Sequence, residues 1–196
     1  VVREYERDWS AEDLRSIAAT LASEVRTFPK SSLIGIRTES AVNLLVALAA
    51  IEQAGGIPLI SPASEQSGDA MQLDELELAA TITDGLEPGE LRIAHHNVVR
   101  YQPDLPSDSV VIFTSGTTGM SRPVVHTWKS LSSAVREVAK YQHKHWLCAY
   151  HARSFAALQV MLQALSTGGA IYLVTRGTQG LWRQLKHGEI DIASAT

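Results

Sequence analysis

Cysteine is almost absent from the 196-residue sequence, in which Cys148 is the only one. A single cysteine cannot form a disulfide within the chain, and we therefore expect a protein of the reducing cytoplasm. Long hydrophobic runs are also lacking. The longest, residues 44–51, is far shorter than the roughly 20 residues that a membrane-spanning helix needs, so no membrane association is expected.

Positive charge is not in excess, because 17 Lys and Arg residues stand against 21 Asp and Glu residues, giving a formal net charge of −4. This balance argues against the strongly basic face of a nucleic-acid-binding domain. Hydrophobic residues make up 45% of the sequence and charged residues 19%, which is ordinary for a globular protein. The length suits one large domain or part of a longer protein, and we expect the latter.

Segments with helical periodicity alternate with short apolar runs along most of the chain. Helices are expected at 10–25, where Ser10 is a candidate N-cap, and at 39–56, 69–79, 130–141, 154–169 and 180–188. Strands are expected at 32–36, 57–60, 81–83, 91–94, 98–101, 146–150, 170–175 and 190–194. Strands separated by helices need crossover connections, so the pattern predicts an α/β fold with a largely parallel sheet flanked by helices.

A cluster of Gly, Ser and Thr follows Phe113 in the segment VVIFTSGTTGMSRPVV, residues 110–125. Glycine lets a backbone approach a ligand closely, and clustered backbone N–H groups with nearby hydroxyls bind anions. Arg122 adds a permanent charge whose fork matches phosphate oxygens. The β-prone residues that follow predict that the loop joins two strands. The residue chemistry favours a phosphate cradle over a ligand-free turn, and the lysine of a Walker A loop is missing.

The segment FTSGTTGMSRPVV resembles the phosphate-loop signature of the acyl-adenylate-forming superfamily, which includes acyl-CoA synthetases and peptide-synthetase adenylation domains. The resemblance assigns phosphate binding to Arg122 and to six preceding residues: Thr114, Ser115, Gly116, Thr117, Thr118 and Gly119. Arg122 stands where the family has lysine and Pro123 where it has glycine, so charge is kept while reach and flexibility change. Residues 42–63 and 147–158 resemble two further family segments.

The resemblance implies that the chain is the first part of the large N-terminal domain of an acyl-adenylating enzyme. Residues 1–109 would form a first βα portion and connection, 110–128 the phosphate-loop hairpin, and 129–196 a second βα portion. The implied reaction activates a carboxylic acid with ATP and Mg²⁺ and passes the acyl group to the thiol of CoA or of a carrier protein's phosphopantetheine. A non-catalytic nucleotide- or partner-binding module is the alternative. A homodimer also remains open, since a sheet edge would be exposed.

Several other residues have both a functional and a structural interpretation. His151 follows Tyr150 in a family-like segment, which implies a place near the acid's carboxylate, although a rim histidine bonded to backbone is the alternative. Trp128 would either line the ligand cavity or cover the sheet. His143 and His145 lack a third ligand at zinc-site spacing, so no metal site is expected. The run EYERD at 4–8 is expected to be surface charge.

The chain alone is expected to be incomplete and inactive as a ligase. The later family segments that orient the nucleotide and bind its metal lie beyond residue 196, and such positioning groups contribute large rate factors. ATP–pyrophosphate exchange on the purified 196-residue protein measures this directly. Substantial acid-dependent exchange would contradict the expectation.

Overall fold

The computed structural model describes residues 1–4, 7–62, 76–87, 89–96, 105–115, 121–174 and 190–194. The strands, numbered along the chain, are β1 (Val2–Glu4), β2 (Arg7–Trp9), β3 (Leu33–Arg37), β4 (Ile57–Ile60), β5 (Ala80–Asp84), β6 (Leu91–His95), β7 (Ser109–Ser115), β8 (Ser121–Thr127), β9 (His145–Cys148), β10 (Ala170–Leu173) and β11 (Ile192–Ser194). The helices are α1 (Ala11–Val25), α2 (Ala41–Ala54), α3 (Trp128–Ser132) and α4 (Phe155–Ser166). The segments predicted at 69–79, 98–101 and 180–188 lie largely or wholly outside the described residues.

The strands form two sheets. A central sheet has the order β6-β5-β3-β4-β7-β8, and a terminal sheet, built from both ends of the chain, has the order β11-β9-β10-β1-β2. Six of the pairings are parallel, whereas β1–β2, β5–β6 and β7–β8 are antiparallel. The predicted α/β class with mainly parallel pairing is therefore confirmed, and the strands divide between two sheets instead of one.

The main core joins both sheets through two helices. Helix α2 packs against β1 of the terminal sheet and against β3 and β4 of the central sheet, while α4 packs against β9, β10 and β7. Buried residues from both sheets and both helices belong to one hydrophobic cluster. A smaller cluster covers the other face of the central sheet. Because β4 and β7 are apolar on both faces, their sequences read as continuous apolar runs.

Local sequence signals define the ends of the first two helices. Ser10 caps α1 as predicted: its Oγ accepts the Asp13 backbone N–H at 3.0 Å, and the Asp13 carboxylate accepts the Ser10 N–H at 2.8 Å. Ser40 caps α2 through its Oγ, which accepts the Asn43 backbone N–H at 3.1 Å, and Gly55 ends the helix in the left-handed conformation at φ 77°. These caps fix where the chain leaves β3 and enters α2.

The helix predicted over 130–141 is wrong beyond its first turn, because α3 ends at Ser132. The side chain of Gln163 on α4 explains the early end. Its Oε1 accepts the Arg136 backbone N–H at 2.8 Å and its Nε2 donates to the Arg136 carbonyl at 3.0 Å. Both backbone groups that a helix would use are thereby satisfied by a residue distant in the sequence.

In the portion of the chain that the structure describes, each helix is too short or too polar to cross a bilayer.

The edge of the terminal sheet packs against a hairpin of the central sheet at Gly89. Trp9 on β2 is buried, and a Cβ atom placed on Gly89 would lie 2.3 Å from the Trp9 ring. Gly89 also has φ +86°, a conformation that side chains with a Cβ rarely adopt. Only glycine therefore fits between the β5–β6 hairpin and the indole.

Gly89→Ala should lower the free energy of unfolding by about 2–4 kcal/mol, since left-handed strain adds to the overlap with the Trp9 ring. Urea titration followed by circular dichroism measures the loss. Gly55→Ala is the matched control, because Gly55 has a similar φ of +77° but its nearest neighbour, Lys30, would lie 3.8 Å from the added methyl group. Equal losses in the two variants would show that the contact with Trp9 does not matter.

Candidate active site at the carboxyl ends of the strands

Polar residues lie where the parallel strands of both sheets end. In the central sheet these are Glu39 after β3, Asp84 at the end of β5, and Thr114 near the end of β7; in the terminal sheet they are Glu4 at the end of β1, and His151 and Arg153 after β9. Parallel strands place their carboxyl ends at one edge of a sheet, and α/β proteins bind ligands in the crevice outside that edge.

The predicted phosphate loop joins the antiparallel strands β7 and β8. Thr114 lies directly opposite Arg122, and Ser115 directly opposite Ser121. Side chains of opposed residues start about 4.5–5.5 Å apart, so Thr114 and Arg122 share one face of the hairpin at the end next to its connecting loop. The candidate residues Gly116, Thr117, Thr118 and Gly119 lie outside the described residues. The structure thus shows the base of the predicted cradle.

The face of β8 that carries Arg122 also contacts α4, the helix that follows His151. Alternation along the strand places Arg122 and His126 on one face. The His126 ring stacks on Phe155, the first residue of α4, with ring centroids 5.3 Å apart. The backbone N–H of Ser154 in turn donates to the His151 carbonyl at 2.9 Å. The hairpin face that carries Arg122 is therefore linked by direct contacts to the loop that carries His151.

His151 belongs to a charged cluster that connects the two sheets. Its Nε2 lies 3.1 Å from Glu39 Oε2, and its Nδ1 accepts the backbone N–H of Arg153 at 3.2 Å. The Arg153 guanidinium is almost fully buried, and its Nη2 donates to Glu39 Oε1 at 2.7 Å. One carboxylate thus contacts two side chains of the β9–α4 loop. The His151 side chain is 35% exposed and stays accessible from the crevice.

Glu39 is held in its ionised form. Partial burial opposes its ionisation, but the charge of the Arg153 guanidinium and the hydrogen bonds from Arg153 and His151 outweigh that effect and lower the Glu39 pKa below its ordinary value. The backbone of Glu39 is fixed as well, because its N–H donates to Asp84 Oδ2 at 2.7 Å. Asp84 Oδ1 accepts from Asn43 Nδ2, also at 2.7 Å, which ties this corner to α2.

Glu4 corrects the expectation that residues 4–8 are surface charge, because it is 3% exposed. Its carboxylate accepts hydrogen bonds from the Ser40 hydroxyl and from the backbone N–H groups of Ala41, at 2.8 Å, and Val42, at 3.3 Å. It therefore binds the positive end of α2 from the neighbouring sheet. Burial raises the pKa of Glu4, these hydrogen bonds partly offset the rise, and the charge of Asp84 adds to it.

Four members of this corner were not predicted as site residues from the sequence, namely Glu4, Glu39, Asp84 and Arg153. A signal was present for Glu39, which stands between a buried strand and a helix N-cap, where functional groups of α/β proteins often lie. No comparable signal marked Glu4 or Arg153, because their partners are distant in the sequence.

Trp128 and Cys148 lie in apolar surroundings. Trp128 lines a groove of about 480 Å³ between α1, α2 and α4, and its lining includes no described residue of the phosphate hairpin or of the Glu39 cluster. Cys148 on β9 is fully buried, as expected of a small core residue, and burial raises the pKa of its thiol. Tyr150 packs against the main core.

Comparison with known proteins identifies relatives by sequence. The family of AMP-binding enzymes matches residues 28–196. The probable CoA ligase CCL8 of Humulus lupulus is 25% identical over 175 residues, which cover 81% of this chain and 27% of that protein. The hybrid PKS-NRPS synthetase tasS of Hapsidospora irregularis is 26% identical over 200 residues, which cover 86% of this chain and 5% of that protein.

Solved structures share the fold. O-succinylbenzoate coenzyme A synthetase (MenE) of Bacillus subtilis, in complex with ATP and magnesium, superposes with a TM-score of 0.74 at 14% identity, over 98% of this chain and 58% of that one. The N-terminal subdomain of Klebsiella oxytoca NpsA, in complex with 3-hydroxybenzoyl-AMSN, superposes with a TM-score of 0.72 at 18% identity, over 98% of this chain and 54% of that chain. The chain thus spans little more than half of these structures and about a quarter or less of the curated relatives.

Glu4→Gln should remove a specific pH dependence of stability. A pKa raised by folding means that the native state binds more protons than the unfolded state just above the ordinary value of about 4.5, so the Glu4 contribution falls as pH rises through that window. We therefore expect the free energy of unfolding of wild type to fall relative to that of Glu4→Gln as the pH rises from about 4 to 7. Urea titration of both proteins across this range measures the difference.

The carboxylates that do not interact with Glu4 are common to both proteins and cancel in that difference. Glu24→Gln, at an exposed position of α1, is the control for the exchange of a glutamate for a glutamine away from this corner. A flat difference for Glu4→Gln would show that burial does not perturb Glu4.

Proposed function

Because the chain belongs to the family of AMP-binding enzymes, we propose that the protein containing it activates a carboxylic acid with ATP. A carboxylate oxygen attacks the α-phosphorus of ATP, the bond from that phosphorus to the bridging oxygen breaks, and pyrophosphate leaves with its electrons. The products are an acyl-adenylate and pyrophosphate. The observation that carries the proposal is the β7–β8 hairpin, which sets Arg122 opposite Thr114 at the base of a loop of glycines and hydroxyls.

The hairpin residues would bind the β- and γ-phosphates. Arg122 supplies a charge that cannot be neutralised by deprotonation, while the hydroxyls of Thr114, Ser115, Thr117 and Thr118 and the backbone at Gly116 and Gly119 supply neutral donors. Negative charge grows on the departing pyrophosphate, so donors already oriented toward it lower the barrier. The buried apolar residues before Thr114 anchor the loop to the central sheet, which supports such preorganisation.

His151 would form part of the acid-binding side of the crevice. Its ring is accessible, and its loop is joined through Phe155 and His126 to the hairpin face that carries Arg122. In this arrangement the acid lies between the terminal sheet and the phosphates, which is the orientation that an attack on the α-phosphorus needs. Orientation of two reactants of this kind supplies a large part of the rate enhancement of many enzymes.

Magnesium belongs to the proposal as the counter-ion of ATP. The described residues contain no group of three His, Cys, Asp or Glu side chains suited to a metal ion, whereas the hairpin donors suit phosphate oxygens. We therefore treat MgATP as the substrate. The acyl group would then pass to a thiol, either of CoA or of a carrier protein's phosphopantetheine. One relative is named a CoA ligase and the other a PKS-NRPS synthetase, so the relatives support both acceptors.

Arg122→Ala should weaken MgATP binding to the full-length protein by about tenfold to a hundredfold, since a charge-assisted hydrogen bond to phosphate is lost. Isothermal titration calorimetry measures the dissociation constant. AMP should bind wild type and Arg122→Ala alike, because it lacks the β- and γ-phosphates. Arg122→Lys keeps the charge but lacks the planar guanidinium, so its dissociation constant for MgATP should lie between those of wild type and Arg122→Ala.

Arg26→Ala, at an exposed position after α1, is the matched control and should leave MgATP binding unchanged. Equal MgATP affinity in wild type and Arg122→Ala would remove the basis of the proposed phosphate site. Acid-dependent ATP–pyrophosphate exchange by the full-length protein tests the reaction itself, and nucleotide binding without exchange would favour a binding module over a ligase.

A further inference from the structure

We propose that Glu39 is a positioning residue that holds the His151 ring in one orientation and one tautomer. The inference rests on the proposed function, in which His151 contributes to the acid-binding side. The geometry points to Glu39 because its carboxylate comes from the central sheet, which carries the phosphate hairpin, whereas His151 comes from the terminal sheet. Glu39 would therefore set the acid side of the crevice relative to the phosphate side.

The tautomer follows from the hydrogen bonds. A backbone N–H can only donate, so the N–H of Arg153, 3.2 Å from His151 Nδ1, requires a lone pair on that nitrogen. The proton of the neutral ring then resides on Nε2, which donates to Glu39 Oε2 at 3.1 Å. Both ring nitrogens are thus occupied by partners of opposite character, and a ring flip would break both contacts.

Arg153 keeps Glu39 in place for this role. Its guanidinium is 3% exposed and donates from Nη2 to Glu39 Oε1, which leaves Oε2 directed at His151. The Nε and Nη1 atoms of Arg153 have no hydrogen-bond partner among the described residues, so Glu39 is the acceptor that compensates the buried charge. Removing a partner from a buried charge is strongly destabilising, which makes this pair a stiff connection between the sheets.

The backbone on each side is equally constrained. The Glu39 N–H donates to Asp84, and the following Ser40 caps α2, so the carboxylate leaves a fixed corner of the central sheet. On the other side, Ser154 caps α4 directly after the short turn at 151–153. Small movements between the sheets would therefore be transmitted to the His151 ring through one carboxylate.

Histidine-detected nitrogen NMR on the 196-residue chain tests the geometry without any catalytic assay. In its neutral form the wild-type His151 ring should show an unprotonated Nδ1 and a protonated Nε2. The His151→Gln variant assigns the signals. Glu39→Gln exchanges the carboxylate for an amide of the same shape, and should shift the Nε2 signal and speed the exchange of its proton at least about tenfold.

Kinetics on the full-length protein test the consequence. In ATP–pyrophosphate exchange, Glu39→Gln should lower kcat/KM for the acid about tenfold to a hundredfold and leave the KM for ATP within about twofold, because only the acid side loses its orientation. Glu24→Gln, at an exposed site on α1, is the matched control and should change neither value. A general loss of folding would instead lower both, and thermal unfolding of each variant identifies that case.

Each outcome decides the proposal. A wild-type ring protonated on Nδ1 would overturn it even if no variant folds. An unchanged His151 spectrum in folded Glu39→Gln, or equal losses for acid and ATP, would overturn it as well. If wild type shows the expected tautomer and the Glu39→Gln shift but no acid-dependent exchange, the positioning contact stands and the proposed function fails.

Discussion

Carboxylates at the carboxyl ends of the strands join the two sheets, and the rest of the crevice depends on these contacts. Glu4 reaches from the terminal sheet to the N-terminus of α2, and Glu39 reaches from the central sheet to Arg153 and His151. Each sheet thus contributes one carboxylate that contacts an element following a strand of the other sheet. Apolar packing alone is non-directional, whereas these hydrogen bonds have defined partners, so they fix the alignment of the sheets as well as their contact.

The elements that the sequence predicted well are those with local causes. Ser10 and Ser40 begin helices because their hydroxyls bind backbone only three residues away, and Gly55 ends one because it tolerates a positive φ. The β7–β8 hairpin was predictable for a similar reason, since a Gly/Thr loop lies between two β-prone runs of neighbouring sequence. Of the proposed phosphate cradle, the described residues include Thr114, Ser115 and Arg122, which flank the loop.

The features that escaped prediction have partners far along the chain. Glu4 looked like surface charge because β1 becomes a buried strand only by pairing with β10, about 170 residues away. The helix predicted over 130–141 stops because Gln163 supplies the hydrogen bonds instead. The division into two sheets and the Glu39–His151 contact also depend on residues that are far apart in the sequence, so they were not predicted. Periodicity describes which face of a segment is apolar, but it does not identify the element that covers it.

The antiparallel pairing of β7 with β8 places Thr114 and Arg122, the proposed phosphate-binding residues, at the edge of the central sheet. A parallel strand continues through a crossover, usually a helix, so its terminal backbone groups are soon used. β7 instead pairs with β8 in the antiparallel sense, and both strands that flank the proposed loop are anchored in the sheet. β7 is buried on both faces and β8 lies at the edge, so Thr114 and Arg122 have a rigid support on one side only. Phe155, the first residue of the helix that follows the His151 loop, stacks on His126 of β8, and this contact joins the hairpin to the loop whose His151 contacts Glu39.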